Sequence, residues 1–408
     1  MKQKISIVFL NYLRILAKIQ LFKIRIIQIA KKRPLCIIGI TGSAGKTSTL
    51  SALHSALSPQ YQIKTNSGSN SESGIPLDIL GLKIKEFSLT SWLKIALLSI
   101  WKILTNWQSY QIYIAEMGID SPKEPKNMTY LLKIFTPDIG IFLNVSPVHL
   151  EYFDSLDQIA LEKAKMIASL PSSGFAILNL EDPLVKKYAQ NTPARIVPIK
   201  PVKINFPGFI IPDVYQDSFG AAIATARVLG IKTETATINI INNFRLPPGR
   251  ASILRGLNNS TIIDSTYNAS PLAATEMLNF LRNFPPPRIA VLGDMRELGQ
   301  ASREEHQKLY TKAIKSSDLL ISVGPLTCKY FGPKAQKFDF WWQAADYMKT
   351  HLPTNATVLV KGSQNTIFLE ELVKSLLQNP SDKQLLCRQN NYWQKTKSAF
   401  RKSIKKPS

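Results

Sequence analysis

The residues Ile37-Ile38-Gly39-Ile40-Thr41-Gly42-Ser43-Ala44-Gly45-Lys46-Thr47-Ser48-Thr49 constrain this chain more than any other stretch. An isoleucine-rich run reads as a buried strand, breaks into small residues, and resumes with a lysine and threonines able to open a helix. That strand–loop–helix order is what a phosphate-binding loop requires. Gly42 and Gly45 carry no Cβ, so backbone N–H groups from Gly42 through Ser43, Ala44 and Gly45 can close around phosphate oxygens. Lys46 would reach the terminal phosphates, the hydroxyl of Thr47 would ligate Mg²⁺, and Ser48 would follow in the first helical turn. The general form of such a loop has glycine where Ile40 stands, so this is a shorter variant. A glycine-rich turn before an ordinary helix is the bland alternative, and it leaves Lys-Thr directly after the glycine without a reason.

A chain of 408 residues with 45% hydrophobic and 19% charged content is globular and long enough for two or three domains. Its formal net charge of +23 invites an anionic partner, although an AT-rich genome enriched in Lys, Ile and Asn would leave the same mark. The lysines are dispersed and no RNA-binding motif occurs, so no nucleic-acid partner is expected. Cys36, Cys328 and Cys387 lie far apart, which gives no metal-ligand pair and fits a reducing cytoplasm.

Residues 1–34 are mostly aliphatic but interrupted by Arg14, Lys18, Lys23 and Arg25. The apolar run is too short for a clean membrane span, and the spacing predicts a basic amphipathic helix suited to an anionic membrane surface or to the protein's own body. Trp92 to Leu104 reads as a second amphipathic helix, expected to cover the sheet. Short strands end at Glu116-Met117-Gly118 and, after Asp138 to Val145, at Ser146-Pro147-Val148-His149. Strands alternating with helices, with polar residues at strand C-termini, predict a parallel α/β sheet with its site along that edge. Pro247-Pro248-Gly249 marks a linker, and further strands are expected at Ser260–Asp264, Arg288–Leu292, Leu319–Val323 and Thr357–Val360. The tail from Lys395 is basic, polar and expected to fray.

Glu116 and His149 stand at successive strand ends, and with Thr47 they supply hard donors where nucleotide-bound Mg²⁺ must sit. With these pieces in place, the chain resembles the Mur ligase family, in its D-alanyl-D-alanine-adding (MurF-type) branch. The resemblance runs from about Leu35 to about Lys374. It is carried by Thr41–Thr47, Glu116-Met117-Gly118, His149-Leu150-Glu151, Ala164-Lys165 and Gly249-Arg250. Asp264-Ser265-Thr266-Tyr267-Asn268-Ala269-Ser270-Pro271, Leu292-Gly293-Asp294-Met295-Arg296-Glu297-Leu298-Gly299 and Lys361-Gly362-Ser363 continue it.

The resemblance implies an α/β fold with a central P-loop parallel-sheet domain at 35–246 and a C-terminal Rossmann-like α/β domain at 247–408. It implies ATP and two Mg²⁺ ions, an acyl-phosphate intermediate, and muramoyl-tripeptide and D-alanyl-D-alanine as substrates of a cytoplasmic monomer. By the same resemblance Thr47, Glu116 and His149 would hold metal, and Lys165 would carry a CO₂-derived carbamate that helps bind the second ion. Arg250 would contact the γ-phosphate as the domains close, Asp264 the ribose side of ATP, and Asn268 the incoming dipeptide. Asp294, Glu297 and His306 are expected to support their own loop. A surface lysine paired with Glu162 is the alternative for Lys165.

Two departures stand out. Asp213, Gln216, Asp217 and Ser218 occupy the place of a base-contacting His…Asn pair. The family's N-terminal UDP-sugar-gripping domain is replaced by one basic helix, so a lipid-linked acceptor at the inner face of the membrane is an alternative. A folate-type glutamate ligase, a lipid-amidating relative and a non-catalytic ATP-binding protein are the remaining readings.

Overall fold

A computed structural model describes residues 2–66, 68–82, 89–148, 150–364 and 366–405. The chain forms two compact units, the first comprising Met1–Val145, Tyr152–Ile204 and Tyr215–Arg245, the second Ser146–Glu151, Asn205–Val214 and Leu246–Ser408.

The first unit opens with helix α1 (Lys2–Ala30), strand β1 (Cys36–Thr41), α2 (Lys46–Leu57), β2 (Ile63–Thr65), α3 (Gly74–Leu80), α4 (Leu89–Thr105) and β3 (Ile112–Glu116). It continues with α5 (Met128–Leu132), β4 (Ile139–Phe142), α6 (Leu156–Ala168), β5 (Phe175–Leu178), α7 (Pro183–Tyr188), β6 (Arg195–Pro198), α8 (Tyr215–Val228) and α9 (Thr233–Asn243). Six strands pair in the order β2-β3-β1-β4-β5-β6, and every pair is parallel. β3 and β4 are buried throughout, as strands covered on both faces must be, which explains their unbroken apolar runs. β1 sits between them with Ile38 opposite both Ile114 and Ile139, so the C-terminal ends of all three strands meet at one edge.

Helix α1 is part of this unit. Leu13, Ala17 and Ile24 are fully buried, and Leu13 packs with Leu77, Leu80 and Ile95 of α3 and α4. Here one expectation fails. Helix α4 packs against α1 and α3 and turns Leu93, Leu97, Trp101 and Leu104 outward, where a helix covering the sheet would bury its apolar face.

The second unit contains β7 (Ser252–Arg255), β8 (Thr261–Asp264), α10 (Pro271–Leu281), β9 (Arg288–Gly293), α11 (Ser302–Ala313), β10 (Leu319–Val323), α12 (Pro325–Tyr330) and β11 (Ala335–Phe338). It ends with α13 (Trp341–His351), β12 (Thr357–Lys361), α14 (Leu369–Leu376) and α15 (Asn391–Lys405). The strand order is β11-β10-β9-β12-β8-β7, parallel except for the antiparallel edge strand β7. The expected strands at 260–264, 288–292, 319–323 and 357–360 all form.

The tail expected to fray is the helix α15. Lys397, buried at 8% exposure, bonds Glu370 at 2.9 Å and Glu371 at 2.7 Å. Arg388 completes the cluster, its Nη2 2.8 Å from Glu370 Oε2, and Phe400 packs edge-on against Phe368. A buried carboxylate with two cationic partners holds the tail in place.

Candidate active site

The glycine-rich loop forms where β1 ends. Gly42 and Gly45 have φ of 152° and 85°, which a side-chain-bearing residue adopts only under strain, and a Cβ on Gly42 would stand 3.0 Å from Leu143 Cβ. The loop is clamped by Asn144, just past β4. Ser43 N–H donates to the Asn144 carbonyl at 2.9 Å, Ala44 N–H donates to Asn144 Oδ1 at 2.9 Å, and Asn144 Nδ2 returns a bond to the Ala44 carbonyl at 3.3 Å. In this conformation the amides of Ser43 and Ala44 are taken up by Asn144. The cradle narrows to Gly45 and the start of α2, including Lys46, Thr47 and Ser48, where a helix N-terminus favours an anion.

Lys46 reaches back over the loop and donates to the Gly42 carbonyl at 2.6 Å. The Thr47 hydroxyl donates to Glu116 Oε2 at 3.1 Å, bringing together two residues 69 positions apart. Glu116 is 3% exposed, and its Oε1 is buried with no hydrogen-bond partner among the described residues. A buried anionic oxygen left so is costly unless a cation completes its shell. A hydroxyl and a carboxylate beside a phosphate loop suit Mg²⁺, which takes one or two protein oxygens plus phosphate oxygens and water. Asn66 fixes the carboxylate's backbone from both sides: its Oδ1 accepts from Glu116 N–H at 2.8 Å and its Nδ2 donates to the Glu116 carbonyl at 3.0 Å.

His149, the other expected metal ligand, lies outside the described residues. Lys165 is described, and it takes the alternative position, paired with Glu162. Its Nζ is 2.5 Å from Glu162 Oε2 and 3.3 Å from the Thr129 hydroxyl, on a side chain 40% exposed. The neighbouring Lys163, and not Lys165, faces the glycine-rich loop. Lys163 is 2% exposed, and its Nζ donates to the Gly42 carbonyl at 3.3 Å, the same oxygen that Lys46 holds. Burial, and then the charge of Lys46, push its amine well below the ordinary lysine range, opposed by the more remote Asp120. Helical periodicity carried the signal: Ile159, Ala160, Met166 and Ile167 share the buried face with Lys163.

In the second unit, the Arg250 guanidinium lies 4.3 Å from the centre of the Tyr267 ring. Asp264, expected at the ribose, is fully buried; its Oδ1 accepts from the Thr266 hydroxyl at 2.6 Å and from Thr266 N–H at 3.1 Å. Burial raises its carboxyl to about 6. It orders the turn after β8 through Oδ1, while its Oδ2 is buried with no hydrogen-bond partner among the described residues. Asn268 is exposed, with its Oδ1 accepting from Ala269 N–H and its carbonyl held 2.9 Å from Lys361 Nζ. Asp294 accepts from Leu326 N–H, Thr327 N–H and the Thr327 hydroxyl, while buried His306 accepts from Met295 N–H at 3.1 Å. These two support their own loops. Near α8, Ser218 is buried against the Thr49 hydroxyl at 3.0 Å and Asp217 Oδ2 accepts from Asn179 at 3.5 Å.

Comparison with known proteins agrees with this layout. Residues 40–245 match the Mur ligase middle domain and residues 249–364 the Mur ligase, glutamate ligase domain. A UDP-N-acetylmuramoyl-tripeptide–D-alanyl-D-alanine ligase of Mycobacterium tuberculosis (strain ATCC 25618 / H37Rv) is 28% identical over 315 residues, covering 69% of this chain and 56% of the relative. The chain thus spans little more than half the length of that relative. The enzyme of the same name from Bacillus subtilis (strain 168) is 25% identical, covering 84% of this chain and 76% of its own. Among solved structures, the MurF ligase of Thermotoga maritima in complex with ADP superposes with a TM-score of 0.71 at 23% identity, over 90% of this chain and 83% of that one. MurF from Acinetobacter baumannii gives 0.72 at 22% identity, over 90% and 81%.

Proposed function

The chain belongs to the Mur ligase family, and from that premise we propose that it is an ATP-dependent amide-bond ligase joining D-alanyl-D-alanine to a muramoyl-tripeptide in peptidoglycan synthesis, on the cytoplasmic side of the membrane. The observation that carries the reading is the convergence of Lys46, Thr47 and the half-satisfied Glu116 carboxylate on one phosphate loop. The tripeptide carboxylate attacks the γ-phosphorus of ATP, the bond to the bridging oxygen breaks, and ADP leaves. The amine of the dipeptide then attacks the acyl carbon, and the tetrahedral intermediate expels inorganic phosphate and loses the amine proton. Carboxylate and triphosphate repel, so cationic groups must face both. Lys46 would exchange the Gly42 carbonyl for the phosphates, and Glu116 with Thr47 would hold Mg²⁺, which would supply charge neutralisation there.

We further assign the carbamate to Lys163 in place of Lys165. Carbamylation needs a neutral amine: the Nζ lone pair attacks CO₂, an N–C bond forms, a C–O π bond opens and a proton leaves. Burial and the charge of Lys46 push the Lys163 amine well below the ordinary lysine range, which favours its neutral form, while Lys165 pairs with Glu162 at 2.5 Å. A carbamate there would put an anion at the loop in place of the amine and could serve as a second metal ligand. A role for Arg250 at the γ-phosphate and for Asn268 at the dipeptide rests on the resemblance.

The test is phosphate release with ATP, Mg²⁺ and D-alanyl-D-alanine, run in parallel with UDP-linked and lipid-linked muramoyl-tripeptide. Turnover that requires both substrates and vanishes in Lys46→Ala supports the assignment; a rate indifferent to the dipeptide overturns it. Activity on the lipid form alone would select the second reading, a membrane-bound acceptor, which the exposed apolar face of α1 favours.

A further inference from the structure

Helices α1 and α4 lie side by side and run in the same direction. Tyr12 donates to the Ala96 carbonyl at 2.8 Å, Lys23 Nζ to the Ile103 carbonyl at 2.7 Å, and Gln28 to the Tyr110 carbonyl at 2.8 Å, so the contacts advance together along both chains. Phe9 closes one end edge-on against Trp92, with ring centres 4.4 Å apart. The first helix is therefore pinned by polar bonds, that of Gln28 buried and those of Tyr12 and Lys23 part-buried, and by the Leu13 cluster, so its outer face is fixed in orientation.

That outer face is apolar on both helices, next to the seam. On α1, Val8, Ile15 and Ile19 stand one or two turns from Tyr12, and Ile19 and Ile26 one turn from Lys23. All four are exposed, and Phe22 between them is 66% exposed. On α4, Leu93 and Ile100 stand one turn to either side of Ala96, and Leu97 and Trp101 are 72% and 61% exposed. Side chains of this size, exposed together on adjacent helices, exceed the scattered apolar exposure of an ordinary surface.

The charges carried by the two helices themselves have one sign, with Asp138 facing Arg25 from the segment before β4. No acidic residue occurs from Lys2 to Pro34 or from Leu89 to Gln111. Lys18 and Arg25 are exposed on the flank of α1 away from the seam, Lys94 on the outer flank of α4, and Lys31, Lys32 and Arg33 at the C-terminal end of α1. A second copy of this face would meet like charges. Among the described residues no helix is long and apolar enough to cross a membrane. We propose that α1 and α4 together form a docking face for an anionic lipid bilayer, with the apolar strip seated among the acyl chains and the flanking lysines and arginines among the phosphate headgroups. The inference is independent of the ligase reading, since it rests on the outer faces of α1 and α4 and on none of the loop residues that would bind nucleotide.

Flotation of the full-length protein with vesicles tests it, using phosphatidylcholine alone and phosphatidylcholine mixed with phosphatidylglycerol. The protein is expected to float with the anionic vesicles, at least tenfold more than with the neutral ones, and less at high salt. Brominated acyl chains in those vesicles are expected to quench Trp101 fluorescence. Phe22→Glu with Leu97→Glu should abolish flotation while ADP binding and the circular dichroism spectrum stay unchanged. Flotation that the double variant retains, or none with either vesicle, overturns the proposal. So does a concentration-dependent dimer in solution that the same two substitutions dissociate, because the face would then belong to protein.

Discussion

At Gly42 the carbonyl oxygen accepts from two lysines, Lys46 at 2.6 Å and Lys163 at 3.3 Å, and this shared acceptor governs the chemistry of the loop. Burial first, and then repulsion from the Lys46 ammonium at the same oxygen, push the inner amine well below the ordinary lysine range. Lys163→Met should therefore lose at least a hundredfold in turnover, while Lys165→Met stays within a few-fold. In ¹³C-bicarbonate the parent protein should show a carbamate resonance that Lys163→Met lacks and Lys165→Met keeps. A signal lost from the Lys165 variant instead would return the role to that position. Lys361 offers a second residue-scale test, through stability. It is fully buried, and burial, aided by Arg250, lowers its amine from 10.5 to about 7. Between those values the unfolded chain holds a proton that the folded chain lacks, so stability rises with pH from about 7 toward 10.5 and falls as pH drops through that window. Urea midpoints measured between pH 7 and 9 should climb in the parent and climb less steeply in Lys361→Met.

Elements decide which of these residues could be read in advance. The strand at Ile37–Ile40 and its loop were legible because buried parallel strands leave unbroken apolar runs and a phosphate loop needs glycine at fixed places. Glu116 was legible as the polar residue that ends a strand. Asn144 and Asn66 were not, since their roles arise only when β4 and β2 are brought to the same edge as β1. The burial of Lys163 was legible in principle, from its place on the apolar stripe of α6, whereas the short motif Ala164-Lys165 points two residues along. The error at α15 has another cause: a run of lysines reads as solvated until a buried carboxylate such as Glu370 is found facing it. For α1, amphipathicity was readable and its partner was not. Leu13 is its deepest contact with α3 and α4, and Leu13→Ala should cost about 2–5 kcal/mol of unfolding free energy by thermal or chemical denaturation. A cost below ~1 kcal/mol would mean that α1 is only loosely held on the unit.

For the whole molecule, two α/β units carry recognisable chemistry on their own. The first holds the phosphate loop, a buried carboxylate and a depressed lysine; the second holds Arg250 stacked on Tyr267 and the Lys361–Asn268 contact. The matches to the two Mur ligase domains follow the same division, at 40–245 and 249–364. Relatives that share these domains are named for joining D-alanyl-D-alanine to a UDP-muramoyl-tripeptide, and the proposed reaction requires an acyl phosphate between its two halves. That intermediate leaves a trace no simple ATPase would produce. With ¹⁸O in the tripeptide carboxylate, turnover in the presence of ATP, Mg²⁺ and D-alanyl-D-alanine should place one ¹⁸O in the released phosphate for each amide bond formed. Released phosphate free of the label, with ADP still produced, would contradict the ligase account.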